Sequence, residues 1–434
     1  MVDELTKTQV TDLLRSRLDP GWTCSGLQRA AAGNAQETWF ITAVDGAGAE
    51  RGLVLRRSAE ASSLDHTDRD REAAVLTALA DSGLPVPPVH WSDAAGGELE
   101  RPYFVMERLP GTLAASAPPE TRHQVARDLG ARLAALHEVD PTGLAIPAPL
   151  PDANAAAATR RELAGWRARY EESEVKVPAL GALLAWLEAN PPAREAVPAR
   201  VIWGDPGPHN LLVEDGTITG LLDWELWHYG DPLEDLGIAL WSAPAAELDP
   251  EDVIEGYEGV AGAIDREALR YFEALACVNR SVILLALIGS FLDGEARPSA
   301  AALGQRLILR SVERAAELAG WPAPMAVAAP PRRELPAFRL RPDANEATAG
   351  VAAFLRDTVL PQLEDRRTRF ELKVAAALLE DAATRNARLE VGAADIEAEA
   401  IHVESQCEGL SLLGDIAAQR RQIGALDRLY GDRL

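Results

Sequence analysis

The chain has 434 residues, enough for two or three domains each with its own core, and its apolar content is ordinary for a globular protein. A formal net charge of −24 argues against nucleic acid or an anionic membrane as partner, since both attract basic surfaces. Cys24, Cys277 and Cys407 are too few and too scattered for a disulfide framework or a zinc site, which fits a reducing cytoplasm.

In chain order, Met1-Val2-Asp3-Glu4-Leu5 lacks a basic start followed by an apolar stretch and does not read as a signal peptide. Residues 4 to 17 carry apolar positions at helical spacing, so an N-terminal helix is expected within 1–19. Alternation predicts strands from Trp39 to Val44 and from Leu53 to Leu55. The pattern turns helical from Asp68 to Leu79, stops at Pro85-Val86-Pro87-Pro88, and gives another strand from Tyr103 to Met106. Residues 20–110 thus read as a small sheet with one helix. Residues 111–320 are mostly helical by periodicity and rich in strong helix formers. Within them the longest apolar run, Val282 to Leu292, is too short to span a bilayer and predicts a buried helix. Residues 321–342 are rich in Pro and Ala and read as a semi-rigid linker. Beyond it, residues 343–434 carry apolar stripes, from Val351, Phe354 and Leu355 to Ile401, Leu410 and Ile416, which predict a small helical domain.

The chemistry concentrates between Trp203 and Asp235. In kinase-like catalytic loops one Asp takes the proton of the attacking hydroxyl, an Asn about five residues on holds Mg²⁺, and a second Asp holds Mg²⁺ against the nucleotide phosphates. Asp205, Asn210 and Asp223 occupy those places. Leu211-Leu212-Val213, the turn signal Asp215-Gly216 and the run Ile218 to Leu222 predict a hairpin that returns Asn210 to the side of Asp223. Asp231, Pro232 and Glu234 then predict a capped helix start. Each Asp alone reads as a solvated turn residue. Together, with the strand pattern between them, they read as a phosphoryl-transfer site.

Further motifs surround this core: Gly33-Asn34-Ala35-Gln36-Glu37-Thr38-Trp39, Val54-Leu55-Arg56-Arg57, Arg71-Glu72, Leu84-Pro85-Val86-Pro87, Val105-Met106-Glu107-Arg108, and Leu133 to His137. In this order they resemble the aminoglycoside phosphotransferase family over residues 20 to 320, most closely its acyl-CoA-dehydrogenase-associated, hydroxyacyl-CoA kinase-like branch. The resemblance implies an α+β, protein-kinase-like fold in two lobes, with a β-rich nucleotide-covering lobe over 20–110 and a mostly helical catalytic lobe over 111–320. It also implies ATP and Mg²⁺ as cofactors and a small-molecule hydroxyl as acceptor.

Residue by residue, the resemblance makes Asp205 the base and Asn210 and Asp223 the metal ligands. Arg56, where many kinase-like proteins carry Lys, contacts the phosphates and pairs with Glu72. Gly33 and Asn34 belong to the phosphate loop, and Glu107 to Leu109 meet adenine through the backbone; the plain alternatives are an ordinary turn and a strand end. Arg57, on the opposite strand face, is expected to be solvated. Trp203 replaces a His common in the family, which leaves the packing of the loop open. His209 is expected to make a structural hydrogen bond, His137 to sit in the core, and Asp231 and Asp235 to brace the loop.

The favoured acceptor is a hydroxyacyl-CoA or related hydroxy acid. An aminoglycoside or other amino-alcohol acceptor is the alternative within the family, and a catalytically inactive kinase-like scaffold, invited by Arg56 and Trp203, is the alternative outside it. The C-terminal helices resemble a small family of unknown role often fused to these phosphotransferases. They are expected to pack on the kinase-like domain and to gate or complete the acceptor site. Oligomeric state stays open.

Overall fold

The computed structural model describes residues 5–30, 36–58, 69–144, 146, 154–173, 175–292 and 298–321, with short stretches between 348 and 379. The loop of Gly33 and Asn34, the Pro-rich linker beyond residue 321 and most of the expected C-terminal domain lie outside the described residues. The chain forms two compact units, Met1–Gly165 with Leu187–Ala276, and Trp166–Trp186 with Cys277–Leu434.

The first unit opens with α1 (Lys7–Arg17). Its start is set by a capping box in which the Thr6 side chain accepts from the Gln9 amide and the Gln9 side chain accepts from the Thr6 amide at 2.9 Å. There follow β1 (Thr23–Arg29), β2 (Gln36–Val44), β3 (Glu50–Ser58), α2 (Arg69–Leu79), β4 (Val89–Asp93) and β5 (Tyr103–Glu107). The strands make one antiparallel sheet in the order β1-β2-β3-β5-β4. The two edge strands, β1 and β4, carry no clean alternation of burial, which is why the hydrophobic pattern does not announce them.

Alternation along β3 sorts its side chains between the two sheet faces. Leu53 and Leu55 join Val10, Leu13 and Leu14 of α1 and Trp39 and Ile41 of β2 in one core cluster. Arg56 faces the other way, toward Glu72 of α2. Arg57 shares the Leu55 face, as expected, but it is not solvated: it is 1% exposed and donates to the buried carboxylate of Glu37 at 2.6 Å. Arg101 reaches the same carboxylate at 3.2 Å. These charge-assisted bonds offset the desolvation that a buried guanidinium otherwise suffers.

The remainder is mostly helical. It comprises β6 (Thr112–Leu113), α3 (Arg122–Glu138), α4 (Ala155–Glu172), α5 (Pro178–Ala189), β7 (Arg200–Ile202), β8 (Leu211–Glu214), β9 (Thr217–Leu221), β10 (His228–Gly230), α6 (Pro232–Ser242), α7 (Pro250–Ala261), α8 (Arg266–Leu292) and α9 (Pro298–Leu318). Strands β6, β8 and β9 form a small sheet and β7 pairs with β10. Helices α3 and α7 touch backbone to backbone. A Cβ on Gly130 would stand 1.9 Å from the Val253 carbonyl oxygen, and one on Gly256 would stand 2.0 Å from that of Arg127.

One expectation changes here. The apolar stretch is not confined to Val282–Leu292, because α8 holds a 24-residue segment, Arg266–Gly289, long and apolar enough by composition to cross a membrane. Of that segment's most apolar window 67% is buried inside the protein, so its apolar surface already serves a core. In the second unit, the Tyr170 hydroxyl donates to the Val177 carbonyl at 2.9 Å and Lys176 stands 5.2 Å from the Tyr170 ring centre, which closes the turn between α4 and α5.

Candidate active site

Strand β7 delivers Trp203, Gly204 and Asp205 to the site, and the first residue of that loop is fixed from three directions. Trp203 is fully buried and stacks on Trp224 with ring centres 5.6 Å apart. Its indole Nε1 donates to the carbonyls of Leu222 (3.0 Å) and Asp223 (3.2 Å). Its amide donates to Asp235 Oδ2 at 2.7 Å, while the Gly204 amide donates to Oδ1 at 2.8 Å. Asp235 lies in the first turn of α6 and is wholly buried, with His137 Nε2 3.1 Å from Oδ2. If that nitrogen donates, His137 Nδ1 is the acceptor for the Tyr257 hydroxyl at 2.9 Å.

The helix that carries Asp235 is itself well capped. Asp231 accepts from the Leu233 amide (2.9 Å), Glu234 accepts from the Asp231 amide (3.1 Å), and Arg194 grips both Asp231 oxygens at 2.6 and 2.9 Å. The bracing expected of Asp231 and Asp235 and the core position expected of His137 are what the fold contains.

Asp205 sits near the opening of this loop, its side chain 19% exposed. Asn210 Nδ2 donates to Asp205 Oδ2 (2.9 Å) and to its carbonyl (3.1 Å), and His209 Nε2 lies 3.2 Å from the same Oδ2. From Asn210 the chain enters β8, turns at Asp215-Gly216 with both residues at positive φ, and returns along β9 in the register Leu211↔Leu221. The Leu222 amide then donates to the Asn210 carbonyl at 2.8 Å, which places Asp223 at the end of the hairpin. Asp223 adopts φ 59°, a left-handed conformation costing a non-glycine residue about 1–2 kcal/mol. The buried Trp203–Trp224 stack and the indole bonds to residues 222 and 223 hold it there.

Across from Asp223 lies a buried charge cluster. Arg56 Nη1 donates to Glu72 Oε1 (2.5 Å) and to Asp223 Oδ1 (2.9 Å), and Nη2 donates to the same Asp223 oxygen (2.9 Å). Glu225 stands 3.8 Å from Arg56 and 3.6 Å from Arg69, and Arg69 also donates to the second oxygen of Glu72. Burial opposes the charge of Arg56, yet Asp223, Glu72 and Glu225 together raise its proton affinity above that of an ordinary guanidinium. Burial pushes the Glu72 carboxyl up against the pull of Arg56 and Arg69, which donate to one oxygen each. Burial, and then the Asp223 charge, push Glu225 up to about 7.

The structure therefore joins Asp205 to Asn210, and Asp223 to Arg56 and Glu72, by side-chain hydrogen bonds, and the two groups are linked through the backbone where the Leu222 amide meets the Asn210 carbonyl. Gly33 and Asn34 lie outside the described residues. At the end of β5, the Glu107 amide already donates to the Pro88 carbonyl and the Arg108 amide to that of Gly52, while Glu107 Oε2 receives Arg51 and His90, each at 2.8 Å. Leu109, half-buried just beyond the strand, has no hydrogen bond from its amide among the described residues. Sequence reading missed Arg69 and Glu225. The signals existed, since Arg69 precedes Glu72 by one helical turn and Glu225 follows Asp223 by two residues.

The donor set suits a hard divalent cation. Asn210 spends its Nδ2 on Asp205, which fixes the amide orientation and leaves Oδ1 as the acceptor end, and Asp223 supplies carboxylate oxygen. No cluster of three or more His, Cys, Asp or Glu able to hold a metal occurs among the described residues. Mg²⁺ commonly takes only one or two protein oxygens and completes its shell with water and phosphate, so the pair fits it.

Residues 26–272 match a family model described as APH, phosphotransferase enzyme family. The chain is 27% identical over 213 residues to acyl-CoA dehydrogenase family member 10 of Mus musculus, a match covering 47% of this chain and 19% of that protein. It therefore spans only about a fifth of the length of that relative. Viomycin phosphotransferase of Streptomyces vinaceus is 33% identical over 246 residues, covering 52% of this chain and 76% of the other. Among solved structures, a Ralstonia eutropha protein assigned to the aminoglycoside phosphotransferases superposes with a TM-score of 0.58 at 20% identity, covering 73% of this chain and 99% of that one. A thermostable mutant of aminoglycoside phosphotransferase APH(4)-Ia, in complex with ADP and hygromycin B, gives 0.50 at 19% identity over 72% and 98%. At these identities the two structures establish the fold, which is kinase-like.

Proposed function

We propose, from the premise that this chain belongs to the phosphotransferase enzyme family, that it transfers the γ-phosphate of ATP to a hydroxyl of a small molecule. The carrying observation is that Asp205, Asn210 and Asp223, spread over nineteen positions of sequence, close into one assembly with the Arg56–Glu72 pair. ADP in the APH(4)-Ia complex supports a nucleotide as donor.

In this reading Asp205 orients the acceptor hydroxyl and takes its proton at a carboxylate oxygen. Asn210 and His209 approach the Oδ2 side of that group and fix its rotamer, so the proton-accepting geometry is set before substrate arrives. Asn210 Oδ1 and Asp223 would hold Mg²⁺, which when bound neutralises charge on the transferring phosphoryl group. Arg56 supplies a forked cation for phosphate oxygens, with Glu72 fixing its direction. The Asp235 carboxylate acts at a distance, holding the backbone of the base-bearing loop.

The favoured acceptor is a hydroxyacyl-CoA or related hydroxy acid, supported by the likeness to acyl-CoA dehydrogenase family member 10. The likeness to viomycin phosphotransferase over three quarters of that protein favours a second reading, an amine-rich antibiotic or amino-alcohol acceptor. ATP consumption measured against a panel of hydroxyacyl-CoAs, hydroxy acids and amine-bearing antibiotics separates them. Asp205→Asn should lower turnover with the working acceptor by roughly 10²–10⁴-fold. A wild-type chain that neither turns over any acceptor nor binds Mg-ATP would leave only the inactive scaffold.

A further inference from the structure

The buried charge cluster contains one cation that the chemistry above leaves without a task. Arg69 opens α2, where the helix dipole is already positive, and it is 3% exposed. Its Nη1 donates to Glu72, but Nε and Nη2 are buried with no hydrogen-bond partner among the described residues. Nη2 stands 3.6 Å from Glu225 Oε2, just beyond hydrogen-bond reach. Burial and the nearby Arg56 both weaken its hold on its proton, and Glu72, Glu225 and Asp223 strengthen it. Burial and two unfilled donors oppose a guanidinium here and three nearby carboxylates favour it, so its role is to be sought in those neighbours.

Among the described residues the cluster sets two cations, Arg56 and Arg69, against three carboxylates, Glu72, Asp223 and Glu225. In the present arrangement Arg56 is committed to Asp223 as well as to Glu72. Both partners of the Arg56–Asp223 bond are needed elsewhere when a nucleotide and its cation occupy the site. We propose that Arg69 is a positioning residue for nucleotide binding, which keeps Glu72 and Glu225 neutralised so that Arg56 can exchange the Asp223 carboxylate for nucleotide phosphate. Without Arg69, Arg56 would be the sole cation among three carboxylates and would be held there by their combined attraction. The two unfilled donors of Arg69 mark where Glu225 settles once Arg56 turns toward phosphate, a shift of less than about an ångström. The inference rests on the phosphotransferase reading and deepens it.

The test is the dissociation constant of Mg-ATP, measured by calorimetry on the full chain without acceptor, so that no turnover intervenes. Arg69→Met should weaken binding by about tenfold or more, while Arg69→Lys, which keeps the charge, should stay within about threefold of wild type. Adding Glu225→Gln to Arg69→Met should recover at least half of the loss on a logarithmic scale, because the carboxylate that needed neutralising is gone. A folded Arg69→Met chain that binds Mg-ATP within about twofold of wild type overturns the proposal. Should the methionine variant not fold, Arg69→Lys decides alone, and a tenfold loss there overturns it. Absence of Mg-ATP binding by the wild-type chain would defeat the phosphotransferase reading itself, and this inference with it.

Discussion

Replacing Asp235 by alanine should destabilise the protein severely, although Asp235 is not itself a group that would touch substrate. The carboxylate is wholly buried and accepts the amides of Trp203 and Gly204 at 2.7 and 2.8 Å, with His137 at 3.1 Å. Each hydrogen bond to a charged group contributes about 1.5–3 kcal/mol, and each buried amide left without a partner costs on the order of 1–3 kcal/mol. Two amides lose their acceptor together, so a loss of about 3–6 kcal/mol is expected, much of the stability of an ordinary domain. Asp235→Asn keeps one carbonyl oxygen but turns an NH₂ group toward the second amide, so about half that loss should appear. Urea unfolding followed by tryptophan fluorescence measures both, since Trp203 and Trp224 stack inside the affected loop. An alanine variant unfolding within about 1 kcal/mol of wild type would refute the assignment of the loop geometry to this carboxylate.

Two further outcomes follow from packing and charge. Gly130→Ala should cost about 3 kcal/mol or more in urea unfolding, because its methyl would lie 1.9 Å from the Val253 carbonyl oxygen where α3 meets α7; an unchanged midpoint would show that the helices separate freely. His228 is the second case. Burial would lower its pKa, but Glu162 and the hydrogen bond to Glu234 push it up to about 10. A folded pKa above the ordinary value near 6.5 means that the stabilisation is complete below about pH 6.5 and is lost as pH rises through about 10. The wild-type melting temperature should therefore fall between pH 7 and about 10.5, and His228→Gln should flatten that fall; parallel curves for the two proteins would exclude His228 as the cause.

What was legible in the sequence was local. The Asp205–Asn210 spacing, the Asp215-Gly216 turn and the Asp231-Pro232-Glu234 cap each depend on residues within a few positions of one another, and each is present as read. Edge strands β1 and β4 escaped because half-exposed strands lose the alternation that identifies them. Arg57 escaped because its counter-ion, Glu37, stands twenty positions earlier on a neighbouring strand. Trp203 looked like a defect, since sequence alone does not show that its indole reaches the carbonyls of residues 222 and 223. Arg69 and Glu225 meet only because α2 and the segment after β9 are brought together by the fold.

That indole has a mechanical consequence. By bridging the base-bearing loop to the end of the hairpin, and with the Asn210 side chain bound to Asp205, it makes Asp205, Asn210 and Asp223 a single rigid plate. Arg56 and Glu72 lie on β3 and α2 of the same compact unit and meet the plate through side-chain ion pairs. On the proposed function, a substitution at Arg56 would therefore disturb the donor side alone, whereas one at Trp203 would disturb all three groups of the plate at once.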